Sequence, residues 1–87
     1  MISETEIYSG LQGIFESVFR RPNFQLTPEL TAASVPGWDS FRFVSILVAT
    51  EEYFGIKFLG PDIDDLKNVG DLARAVARKA SESNPID

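Results

Sequence analysis

The chain has 87 residues, of which 44% are hydrophobic and seven are Phe, and its formal net charge is −5. That length supports a single domain spanning 1–87, and the absence of Cys and His excludes disulfides, thiolate metal sites and a cysteine nucleophile while removing the usual general base, so the composition points away from an enzyme. The acidic balance argues against nucleic acid and anionic membrane surfaces, which need a basic face, and favours basic protein partners.

In chain order, Ser3-Glu4-Thr5-Glu6 reads as a capping box. Ile7, Leu11, Ile14, Phe15 and Val18 then recur every three or four residues, which predicts a helix from about Glu4 to Arg20 with Pro22 beyond it. Gly10 and Gly13 weaken that helix by about 1 kcal/mol each relative to Ala, so it depends on tertiary packing. From Arg21 to Asp39 there are three Pro and no helical period, but Phe24, Leu26, Leu30 and Val35 are spaced as apolar anchors. A loop of this length in a small domain usually has a function.

Phe41 to Phe54 is densely apolar. Val44, Leu47, Val48 and Phe54 are assigned to one face, with Phe43, Ile46 and Tyr53 widening the arc, so this is the central helix, terminated by Gly55. The segment Gly60 to Leu66 suits a short helix with Ile63 and Leu66 facing inward. Asn68 caps a last helix whose apolar stripe is Val69, Leu72, Ala73, Val76 and Ala80, with Asp71 near its start and Arg78 and Lys79 near its end, as the helix dipole favours. Ser81 to Asp87 is expected to fray. The fold class is therefore all-α, a small four-helix bundle with three main helices, one short helix and a long first loop. The start Met1-Ile2-Ser3-Glu4 has no basic stretch leading into an apolar run, and no segment reaches the length of a membrane span. The expectation is a soluble cytoplasmic monomer without membrane insertion.

Asp39-Ser40, at the start of the central helix, is the constellation that suggests chemistry. A helix start offers unpaired amides and the positive end of the macrodipole, which favour a phosphodiester built on a serine there. Ser40 would supply the acceptor hydroxyl, while Asp39 caps the helix or helps order a metal ion brought by a partner enzyme. As a dipeptide alone, Asp-Ser is simply a common helix start.

The surrounding segments are more specific. Gly37-Trp38-Asp39-Ser40-Phe41, then Glu51-Glu52-Tyr53-Phe54-Gly55-Ile56-Lys57-Phe58, then Asn68-Val69-Gly70-Asp71-Leu72 resemble in order and spacing the acyl carrier protein family. The resemblance covers nearly the whole chain. It implies that Ser40 receives 4′-phosphopantetheine from coenzyme A through a phosphopantetheinyl transferase, and that the arm's thiol carries acyl groups as thioesters to acyl-transferring or acyl-activating enzymes. The missing Cys and His fit such a carrier, because the reactive sulfur comes with the cofactor.

The chain departs from the family's usual pattern at Phe41, commonly Leu; at Arg42 and Ser45, commonly acids in carriers of the fatty-acid type; and at Phe43, commonly small or polar. These departures imply a specialised carrier and put partner choice at Arg42 and Ser45. Phe41, Phe43 and Ile46 join them as candidate partner or acyl contacts, as does Trp38, which reads either as a hydrophobic anchor of the loop or as an exposed partner contact. Glu51 and Glu52 read equally as a recognition face or a solvated surface. Asp62, Asp64 and Asp65 lack the alternating ligands and closing Glu of a calcium loop, so no metal site is expected. A carrier of aminoacyl groups and a helical interaction module without a prosthetic group remain as alternatives, although Gly37-Trp38 does not match the Gly-Gly motif usual in peptidyl carriers.

Overall fold

A computed structural model describes residues 2–82, which form α1 (Glu4–Phe19), a 3-10 turn (Ala32–Ser34), α2 (Ser40–Phe54), α3 (Gly60–Asp64) and α4 (Val69–Glu82). The all-α bundle with a long first loop is as the sequence predicts. α1 packs against both α2 and α4, so its apolar stripe of Ile7, Leu11, Ile14 and Phe15 is the centre of the core.

Helix boundaries follow from side chains that satisfy the terminal amides. The Ser3 hydroxyl accepts from the Glu6 amide at 3.1 Å, and the Glu6 carboxylate accepts from the Ser3 amide at 3.0 Å. α1 stops at Phe19 because Arg20 turns left-handed at φ 55°. Asn68 caps α4 by accepting from the Asp71 amide at 2.8 Å, and the Asp71 carboxylate accepts from the Lys67 amide at 3.0 Å. Ser81 belongs to α4 and not to a frayed tail, while residues 83–87 lie outside the described residues.

The long loop is pinned at several points. Phe24 and Val35 are buried, and Leu26 and Leu30 are half-buried against the core. Gln12 donates to the Phe24 carbonyl at 2.7 Å, and Glu16 accepts from the Asn23 amide at 3.0 Å. Further on, the carbonyls of Leu30 and Pro28 accept from the amides of Val69 and Gly70 at 3.0 and 2.9 Å. The loop thus supplies acceptors that the first turn of α4 needs. Its 3-10 turn is not evident in the sequence. Ser34 Oγ holds that turn by accepting from the Thr31 amide at 3.0 Å.

The central helix corrects the expected face. Val44 and Val48 are 55% and 45% exposed, whereas Ile46, Leu47 and Thr50 are buried. Thr50 can face inward because its hydroxyl donates to the Ile46 carbonyl at 2.6 Å, leaving no polar group unpaired. With that row turned in, the two Val face out.

α3 is shorter than predicted and ends at Asp64, with Ile63 and Leu66 packed on the core. Asp62 ties it down: its carboxylate accepts from the Leu59 amide at 2.8 Å and pairs with Arg78 and Lys79 of α4, each at 2.9 Å. These contacts, the Leu59 amide foremost, hold the Asp62 carboxyl at about 2, below its ordinary 3.8. A depressed carboxylate stabilises the fold above its unfolded pKa and loses that contribution as pH falls toward the folded one. Melting temperature should therefore decline as pH is lowered from about 4 toward 2, and Asp62→Asn should flatten that part of the profile while lowering the neutral-pH value.

The two glycines of α1 have opposite roles. A Cβ on Gly10 would lie 2.6 Å from the Tyr53 ring and 2.7 Å from the Phe54 ring, whereas one on Gly13 would meet nothing within 4 Å. Gly10 is what lets α1 and α2 approach. In denaturant melts, Gly10→Ala should destabilise by about 1 kcal/mol, and Gly13→Ala should stabilise by about 0.5–1 kcal/mol through helix propensity.

Candidate functional site

The site is the start of α2 and the turn leading into it. Trp38 is half-buried, with its ring 5.4 Å from Phe15 and 6.0 Å from Phe19, both edge-on. Phe24, from the other end of the loop, lies 5.6 Å from Phe15 and 5.4 Å from Phe19. One aromatic cluster therefore closes the loop at both ends onto α1. Trp38 is an anchor, and it sets where the next two residues emerge.

Val35 accepts from the Trp38 amide at 3.1 Å, Gly37 adopts φ +87°, and its carbonyl accepts from the Asp39 amide at 3.0 Å. The left-handed φ at Gly37 is one that side chains disfavour, which explains the glycine. Asp39 is the N-cap: its Oδ1 accepts from the Arg42 amide at 2.9 Å. Ser40 is the first helical residue and is exposed. Its hydroxyl thus stands at the positive end of a 15-residue helix, where an added phosphate is favoured.

Other predicted site residues fall into different environments. Phe41 is 79% exposed and forms with Val44 and Val48 an apolar outward row starting at Ser40. Ser45 is half-buried and donates to the Phe41 carbonyl at 3.2 Å. Ile46 is 0% exposed, so it is core and lies beyond the reach of a docked partner. Phe43 packs partly against the core and lines, with Trp38, Leu66, Lys67, Asn68 and Leu72, a void of about 20 Å³. That is room for about one water. A void of this size does not hold an acyl chain. The Trp38 indole N–H is buried without a hydrogen-bond partner.

The two glutamates separate. Glu51 is half-buried and accepts from the Phe58 amide at 2.8 Å, holding the connection after α2, while Glu52 is exposed further along the helix. Arg42 is folded back: its guanidinium donates to the Gly37 carbonyl at 3.0 Å, lies 3.8 Å from the Asp39 carboxylate and sits 5.9 Å from the Phe19 ring centre. The motif in the sequence includes Gly37, but neither the role of its carbonyl as the acceptor for Arg42 nor the part played by Phe19 is evident there. Nothing in the spacing links Phe19 to Arg42.

The start of α2 thus presents an exposed serine behind an Asp39 cap and beside an apolar surface row. No family model matches the chain. Among curated proteins, it is 36% identical over 83 residues to the meromycolate extension acyl carrier protein of Mycolicibacterium aurum, covering 95% of this chain and 84% of that one. It is 33% identical over 76 residues to the acyl carrier protein of Acidothermus cellulolyticus, covering 87% and 90%. Among solved structures, the solution structure of a holo acyl carrier protein from Geobacter metallireducens superposes with a TM-score of 0.79 at 36% identity, covering 85% of each chain. The chain belongs to the acyl carrier protein family, and these relatives favour the acyl carrier reading over an aminoacyl carrier or a plain interaction module.

The burial contrast within the first turn of α2 yields a direct check. Phe41→Ala should change stability by less than about 0.5 kcal/mol, whereas Phe43→Ala should cost about 2 kcal/mol through lost packing. Urea denaturation of the two variants measures both; similar losses would contradict the assignment of Phe41 to the surface.

Proposed function

We propose that this chain is a single carrier domain that bears 4′-phosphopantetheine on Ser40 and hands acyl groups to partner enzymes in lipid biosynthesis. The observation that carries this reading is the exposed Ser40 at the N-terminus of α2, capped by Asp39 and opening an apolar surface row. When bound, the arm supplies the thiol on which acyl groups are held as thioesters, a chemistry the chain's own side chains lack.

The residues present fit such a group. Ser40 offers the ester oxygen, and the dipole at the start of α2 favours the phosphate. Phe41, Val44 and Val48 give a phosphopantetheinyl transferase or an acyl-handling enzyme an apolar surface contiguous with the serine. Glu52 extends that face with an exposed acid. With no Cys or His in its sequence, the chain is assigned the role of a cargo-bearing substrate to enzymes. Among the described residues, no helix is long and apolar enough to cross a membrane. Two relatives named above are an acyl carrier protein and a carrier for meromycolate extension, and chain building of that general kind is the setting we assign.

Intact-mass measurement of the protein co-expressed with an active transferase should show the gain of one phosphopantetheine. Ser40→Ala should abolish that gain with helical content unchanged. A gain that survives the substitution, or none in the wild type with several transferases, would overturn the proposal.

A further inference from the structure

Arg42 stands two residues after the serine, where a free cation would be read as a charge offered to partners. Its surroundings describe something else. The Gly37 carbonyl accepts twice, from the Asp39 amide at 3.0 Å and from Arg42 Nη1 at 3.0 Å. The same guanidinium lies 3.8 Å from Asp39 Oδ2 and 5.9 Å from the centre of the Phe19 ring. Three parts of the chain therefore meet at one planar group: the left-handed turn at Gly37, the N-cap of α2 and the C-terminal turn of α1.

Each contact is weak alone. An ion pair at 3.8 Å between half-exposed groups contributes little, and so does a distant cation–π contact. Their common effect is geometric. Asp39 and Ser40 follow a turn whose glycine gives it backbone freedom, and the guanidinium closes that turn onto the helix it precedes. The fork of Arg suits this task, because it can donate to a carbonyl while its face rests on a ring.

We propose that Arg42 is a positioning residue for arm attachment: it locks the turn Val35–Asp39 and so fixes the Ser40 hydroxyl, and it does not act as a charge presented to the transferase. The proposal rests on Ser40 being the attachment serine. A preorganised acceptor hydroxyl lowers the barrier to transfer because small misplacements of a reacting group are expensive.

The test uses the full chain with Arg42→Ala, Gly37→Ala and the double variant, a phosphopantetheinyl transferase and coenzyme A. Arg42→Ala is chosen because Ala is at least as good a helix former. Transfer kinetics at low and high salt are read beside amide hydrogen exchange at Trp38 and Asp39. Arg42→Ala should lower kcat/KM for transfer about tenfold at both salt concentrations and speed exchange at both amides. The double variant should be little worse than the worse single one, since both act through the same turn.

A loss that vanishes at high salt with exchange unchanged would overturn the proposal in favour of a cation read by the transferase. So would losses that multiply in the double variant, or unaltered rates and exchange. If the wild type accepts no arm, the proposed function fails, and the exchange result alone decides whether Arg42 locks the turn.

Discussion

The structure depends on the contact between Phe15 and the two aromatics at opposite ends of the long loop. Phe15 is fully buried, with Phe24 at 5.6 Å and Trp38 at 5.4 Å from its ring centre. Aromatic pairs of this kind contribute about 0.5–1.5 kcal/mol each beyond the area they bury. Closing a flexible loop grows more expensive only slowly with its length, so a few such contacts suffice to hold a long connection. Because the cluster sits on α1, the start of α2 is registered against α1 and not merely tethered to it. Ser40 inherits its position from that packing.

Much of the chain's acidity is used internally. Glu6, Glu16, Asp39, Glu51, Asp62 and Asp71 all accept backbone amides at helix ends or loop junctions. Each of these carboxylates keeps its charge, but of the six only Glu51 lies within α2. What α2 offers beside Ser40 is an apolar row, and the cation at position 42 is turned toward its own chain. Association through such a surface is less dependent on electrostatic steering than association through a row of carboxylates.

The sequence disclosed the elements well because each leaves a local mark: the Ser3–Glu6 box, the α1 period, Gly55 as a terminator, and Asn68 with Asp71 at the start of α4. The placement of Ser40 at the start of the central helix was legible for the same reason, since capping is local. The inward face of α2 was not. Val44 and Val48 look like core until the Thr50 hydroxyl is seen to bond the Ile46 carbonyl, which lets Thr50 face inward in their place. Gly10 likewise reads as a weak spot in a helix, and only the approach of Tyr53 and Phe54 gives it a purpose. Glu51 and Arg42 read as surface charges because their partners, the Phe58 amide and the Gly37 carbonyl, are backbone groups with no sequence signature.

The central claim is that the long loop is a fixed part of the fold and holds the serine-bearing turn in register. Its carbonyls at Pro28 and Leu30 accept from the amides of Gly70 and Val69, so those amides report directly on whether the loop stays closed. Native-state hydrogen exchange at Val69 and Gly70, set beside core amides of α1 such as Leu11 and Phe15, is the measurement. The account predicts that both amides open with a free energy close to that of the α1 core. Exchange at Val69 and Gly70 many-fold faster than at the α1 core would mean that the loop lifts independently, and would contradict it.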